Sequence, residues 1–199
     1  GGLVVAWLAG VRAKFFIYSG IGMIALLPVA ISLLKPYQKS RILTFLNPER
    51  DPLGAGYQII QSKIAIGSGG LFGKGFLNGS QSYLDYLPEK HTDFIYTLFS
   101  EEFGFFGSLF ILLLYSLIIY RIVRIGNLTR SNFGKLYCYG FATAFFIYVV
   151  VNMMMVLGLL PIVGSPLPIM SYGGSSMMAI MFGLGIVMSC KIYKDVPVN

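Results

Sequence analysis

The chain has 199 residues, of which 56% are hydrophobic and 12% charged, with a formal net charge of +7. Soluble domains carry about 25% charged residues, so this composition and a mean hydropathy of +0.74 exclude an ordinary soluble enzyme and place the chain in the membrane. The net charge does not mark a nucleic-acid binder, because the basic residues lie mainly in short loops between apolar runs, where membrane topology puts them.

The opening GGLVVAWLAG has neither the Met nor the basic n-region of a signal peptide. It reads as the end of a span, residues 1–11, in a piece of a longer protein. A span needs about 20 apolar residues. Residues 15–34 supply one, with Pro28 kinking its far end. A third is expected over about 95–120, around FGFFGSLFILLLYSLIIY. From Leu136 to Cys190 no residue is charged, and Pro161, Pro166 and Pro168 divide that stretch into spans at about 136–158 and 173–190. Cys138 and Cys190 both fall in apolar runs and read as small buried side chains, not as a disulfide framework. The expected fold is an all-α integral membrane bundle, one membrane domain over 1–199.

Charge sets the expected orientation. Arg12 and Lys14, then Arg121, Arg124, Arg130 and Lys135, fall in loops without acids. These loops and the C-terminus therefore face the cytoplasm, and residues 35–94 and the uncharged 159–172 loop face outward. The long outer loop is rich in Ile, Leu, Phe and Tyr, so it is expected to be folded and partly helical, with AGYQIIQSKIAI (55–66) lying on the membrane surface.

Four motifs carry candidate chemistry. GSGGLFGKG (67–75) fails as a phosphate loop: Ser68 stands where the first Gly belongs, and Gly75 where Ser or Thr must follow the Lys. It is either a tight turn or a backbone whose N–H groups meet an anion. In LPEKHTDFIY (87–96), Thr92 or Asp93 is either an N-cap or, for Asp93, a general base at the membrane surface. Asp93, Thr97 and Glu101 share one helical face. Glu101 and Glu102 lie about 12 Å further along, at 1.5 Å per residue, and need cationic partners that the spans do not offer. His91 has no second His or Cys nearby to build a zinc site and reads as an interfacial hydrogen-bonding group. Lys63 is either a snorkelling lysine or a phosphate ligand. SPLPIMSYGGSS (165–176) is either a helix break or a re-entrant segment lining a cavity.

Together, residues 47–107 and SPLPIMSYGGSS resemble the two signatures of the shape, elongation, division and sporulation (SEDS) family, in the form of its RodA-like branch more than its FtsW branch. The resemblance covers essentially the whole chain. It implies the C-terminal half of a ten-span peptidoglycan glycosyltransferase in the bacterial cytoplasmic membrane, polymerising lipid II, the undecaprenyl-pyrophosphate-linked disaccharide-pentapeptide, during cell elongation. It also implies a class B penicillin-binding transpeptidase as partner, docked on the later helices, and it puts the family's essential aspartate on Asp93. Lys63, Lys74, Glu89, Lys90, His91, Ser165 and Ser171 are the accompanying substrate-binding candidates.

The residues suit that chemistry. The reaction needs a base for the acceptor hydroxyl and cations for the departing pyrophosphate, from Lys63, Lys74 and Lys90 or from Mg²⁺ or Mn²⁺. No ligand cluster in the sequence demands a metal. Two alternatives compete. A lipid II flippase would draw on intramembrane Glu101, and a non-catalytic scaffold would tolerate Asp93→Asn.

Overall fold

The computed structural model describes residues 2, 6, 11–33, 35–47, 54–79 and 92–193. They form six helices in chain order: α1 (Ala13–Leu33), α2 (Pro36–Leu46), α3 (Ala55–Ser68), α4 (Ile95–Leu128), α5 (Asn132–Val156) and α6 (Gly174–Ile192). The protein is an all-α membrane protein, in which α4, α5 and α6 are each long and apolar enough to cross a bilayer. Helix α1 has 21 residues and runs through Pro28.

Helix α4 and helix α5 form a hairpin. Ser131 caps α5 by accepting the Gly134 N–H. Gly126 and Gly134 let neighbouring chains close in, since a Cβ on either would press on Cys138 or Thr129 respectively. One core cluster joins α3, α4, α5 and the 159–173 segment around Ile59, Phe94, Tyr115, Phe145 and Leu167. A smaller one joins the other end of α4 and α5 to α6 around Ile122, Cys138, Ala142 and Val187. The outward faces of α4 and α6, with residues such as Phe110, Leu113, Phe182 and Met178, stay exposed.

Two features within residues 35–94 place the site. Helix α2 starts on Pro36, where a missing N–H costs nothing, and Arg41 donates to the Ile162 carbonyl at 2.8 Å. Helix α3 buries Ile59, Ser62 and Ala65 along one stripe. That stripe packs against α4 and α5.

Helix α4 is broken at Gly104 (φ 67, ψ −159). The portion after the break, 24 residues or about 36 Å at the helical rise, is long enough by itself to cross the hydrocarbon core. The glycine-rich turn after α3 fills the break. Lys74 and Gly75 N–H donate to the Glu101 and Glu102 carbonyls, and Phe105 and Phe106 N–H donate to the Gly70 and Leu71 carbonyls. A Cβ on Gly69, Gly73 or Gly104 would collide with the opposing backbone. Of the two readings of GSGGLFGKG, the structure supports the tight turn, because these N–H groups are spent on α4 rather than offered to an anion.

Candidate functional site

Asp93 stands where α4 begins. Phe94, 1% exposed, anchors this point in the core, and the first turn closes through Thr97 N–H to the Phe94 carbonyl at 3.0 Å. The N-cap position therefore falls on Phe94, not on Thr92 or Asp93, because the core draws Phe94 inward and the chain turns before it. Two side chains fix the backbone here. Asn152 Nδ2 donates to the Asp93 carbonyl at 2.9 Å and to the Ser165 carbonyl at 2.6 Å. Ser171 Oγ donates to the Thr92 carbonyl at 2.6 Å and accepts from Leu167 N–H at 2.7 Å. The start of α4 and the SPLPIMSYGGSS segment are thus stitched together through α5.

The Asp93 carboxylate is half-buried. It faces Gly164, where an added Cβ would stand 3.4 Å from Oδ2 and where φ is +74°. Gly164 is shared with a cavity of about 530 Å³ between α5, α6 and residues 163–168. Phe141, Phe145, Tyr148 and Ile180 make its walls apolar, and Ser165 and Ser176 add polar atoms. The non-helical segment also reaches Tyr115, well past the break in α4, whose hydroxyl donates to the Pro168 carbonyl at 2.6 Å. Irregular backbone lining a cavity is the re-entrant arrangement rather than a plain helix break.

The polar face of α4 turns inward. Thr97 and Glu101 are fully buried, and Thr97 Oγ1 bonds Ser62 Oγ at 2.9 Å, which also donates to the Val156 carbonyl at 2.5 Å. The spans offer Glu101 no cation, but the turn after α3 does: Lys74 Nζ lies 2.7 Å from Glu101 Oε1. Sequence reading missed the pairing because the lysine sits in a turn 27 positions away and meets α4 only through the break. Lys74 is thereby tied to a structural carboxylate. Glu102 is half-buried and gives its carbonyl to the same turn.

Lys63 is exposed on α3. Its Nζ lies over Gly158 just past the C-terminal end of α5, 2.8 Å from where a Cβ there would stand. Glu89, Lys90 and His91 lie outside the described residues. Among the described residues no group of three His, Cys, Asp or Glu gathers to hold a metal ion. Two residues of the site, Asn152 and Gly164, went unnoticed in the sequence. Asn152 was the readable one: a fully buried amide inside an otherwise apolar run, where an unpaired polar group is costly.

The family model described as cell cycle protein (FTSW_RODA_SPOVE) matches residues 1–195. The peptidoglycan glycosyltransferase MrdB of Escherichia coli K12 is 47% identical over 194 residues, 97% of this chain and 52% of that protein. The peptidoglycan glycosyltransferase RodA of Treponema pallidum is 44% identical over 186 residues, 92% of this chain and 43% of that one. A solved chain from a peptidoglycan synthase complex that coordinates polymerization and crosslinking superposes with TM-score 0.77 at 37% identity, over 98% of this chain and 53% of that chain. A mutant of the rod-shape-determining protein RodA from Thermus thermophilus superposes with TM-score 0.55 at 27% identity, over 96% and 62%. These define a multi-span membrane protein. The chain belongs to the FtsW/RodA/SpoVE family and spans about half the length of the curated relatives it matches.

Proposed function

We propose that this chain is the half of a RodA-type peptidoglycan glycosyltransferase that carries the catalytic base, and that the whole protein polymerises lipid II. The observation that carries the reading is Asp93: a half-buried carboxylate at the end of a spanning helix, facing Gly164 at the rim of an apolar cavity of about 530 Å³. A lipid-linked sugar needs that combination, an apolar slot for the prenyl chain beside a base at membrane-surface level.

In this mechanism Asp93 accepts the proton of the acceptor sugar hydroxyl as that oxygen attacks the donor's anomeric carbon. The bond to the pyrophosphate breaks and the lipid pyrophosphate leaves. Asn152 and Ser171 act as positioning residues, holding the backbone on either side of the carboxylate through its own carbonyl and that of Thr92. Lys63 and Lys90 are the cations proposed to meet the pyrophosphate, together with Mg²⁺ or Mn²⁺ if a metal takes part. Lys74 recedes from that role because it already neutralises Glu101.

Asp93 is read as facing the outside of the cytoplasmic membrane, with Arg121, Arg124 and the C-terminus facing the cytoplasm. A class B penicillin-binding transpeptidase is the proposed partner. The relative drawn from a synthase complex supports that pairing. A flippase would need Glu101 as a mobile intramembrane charge, and its pairing with Lys74 argues against that.

The test is lipid II polymerisation by the full-length protein with its transpeptidase, wild type against Asp93→Asn. Polymer should fall at least 100-fold while the two proteins still co-purify. Persistent polymer at near wild-type rate would sink the assignment.

A further inference from the structure

At the end of the bundle opposite Asp93 lies a second cavity of about 640 Å³, lined by Arg121, Arg124, Ile125 and Leu128 of α4 and Met188 and Lys191 of α6. We propose that it binds the phosphodiester headgroup of an anionic phospholipid from the surrounding leaflet. The inference does not rest on the glycosyltransferase reading.

Three observations converge. The first is charge. Arg121, Arg124 and Lys191 make no ion pair or hydrogen bond within the described structure. The described acids are Asp93, Glu101 and Glu102, and Glu102 precedes Arg121 by about 28 Å of helix. Asp195 follows Lys191 by four positions, outside the described residues. The second is level. Both helices leave their apolar runs at this point, after Tyr120 in α4 and Cys190 in α6. The cations therefore stand at headgroup depth, where basic pockets between spans take anionic lipids. The third is geometry. Arg121 and Arg124 share one face of α4 a turn apart, and Lys191 faces them from α6, whose backbone is drawn close by Thr129 Oγ1 donating to the Cys190 carbonyl at 3.5 Å. Two guanidinium forks and an ammonium around one space suit a phosphodiester. Met188, one turn toward the membrane from Lys191 and exposed, offers apolar surface to the lipid's glycerol end.

Simpler accounts explain less. A helix C-terminus favours cations, which covers Lys191 in the last turn of α6. Arg121, however, stands almost two turns before the end of α4. The positive-inside rule places cations on this side but does not gather three of them around one cavity.

The experiment is native mass spectrometry of the full-length protein in detergent, titrated with phosphatidylglycerol, phosphatidylcholine or inorganic phosphate. Wild type should retain phosphatidylglycerol in preference to the other two. Each cation removed should weaken retention about fivefold, so Arg121→Gln alone gives about fivefold and R121Q/R124Q/K191Q on the order of 100-fold. These side chains are exposed and unpaired, so their replacement leaves the fold standing. The variant R130Q/K135Q, which removes nearby charge outside the cavity, should bind as wild type does. Equal retention by wild type and the triple variant overturns the proposal, as does an equal loss in R130Q/K135Q. Inorganic phosphate binding as tightly as the lipid would make this a free-phosphate site and overturn it too.

Discussion

Replacing Lys74 with methionine takes a cation away from buried Glu101, and the size of the penalty can be worked out from the pair itself. Glu101 has no solvent-exposed surface, its Oε1 lies 2.7 Å from Lys74 Nζ, and the lysine side chain is 30% exposed. Removing one partner of a buried pair costs about 3–5 kcal/mol, because the remaining buried charge loses that partner's compensation. Solvent around Lys74 reduces that to about 2–3 kcal/mol. In Glu101→Gln the charge goes but hydrogen-bonding capacity stays, so the double variant Lys74→Met/Glu101→Gln should recover most of the loss, a favourable coupling of at least about 1 kcal/mol. For a protein about twice this chain's length the single variant should lower Tm by about 2–5 °C. Thermal unfolding in detergent, followed by the reaction of a maleimide dye with the buried thiol of Cys138, would read these shifts. If Lys74→Met melts with wild type, or if the two single losses simply add, the pair does not hold the turn to α4. Lys74 would then return as a substrate cation.

Two further variants probe the same end of the bundle. Gly104→Ala forces an L-residue into φ 67, ψ −159, a region essentially reserved for glycine, and drives its Cβ into the Gly73 and Leu71 backbone. A loss of about 3 kcal/mol or more is expected in the same melting assay, and a stability equal to wild type would deny the break. Asn152→Leu removes both hydrogen bonds from Nδ2 but also removes the buried Oδ1 for which no partner is described. The net cost should be only about 1–2 kcal/mol, while lipid II polymerisation should drop at least tenfold because the Asp93 backbone is no longer held. Undiminished polymer would show that Asn152 has no positioning role.

The membrane helices were legible because hydrophobicity and charge report them directly. The bounds shifted for local reasons. Helix α4 continues past Tyr120 to Leu128 because Arg121 and Arg124 are good helix formers. Helix α5 starts at Asn132 because Ser131 caps it. Helix α2 was missed although its signals were present, Pro36 at the start and Asn47 before Pro48 at the end; its low hydrophobicity hid it within a long loop. Asp93 could be singled out because a carboxylate beside a span is conspicuous. What fixes it, Asn152 and Ser171, acts through backbone carbonyls far away in sequence, and no periodicity encodes such contacts. The break at Gly104 was equally silent, since FGFFG reads as a continuous apolar helix.

That break also explains how a glycine-rich turn comes to matter for a site it does not touch. Interrupting α4 releases the carbonyls of Glu101 and Glu102 and the N–H groups of Phe105 and Phe106, and all four are satisfied by the turn after α3. Exchanging helical bonds for these four lowers the hydrogen-bond cost of opening the helix and gains an attachment. Helix α3 is tied to the same portion of α4 a second time by Ser62 and Thr97. The stretch from Asp93 to Phe103 is therefore held from one side by α3 and its turn, and from the other by Asn152 and Ser171. A carboxylate at the tip of an uninterrupted 34-residue helix would follow every tilt of the span in the bilayer. Set on a short segment clamped from both sides, Asp93 keeps its position relative to Gly164 and the cavity, as preorganised chemistry requires.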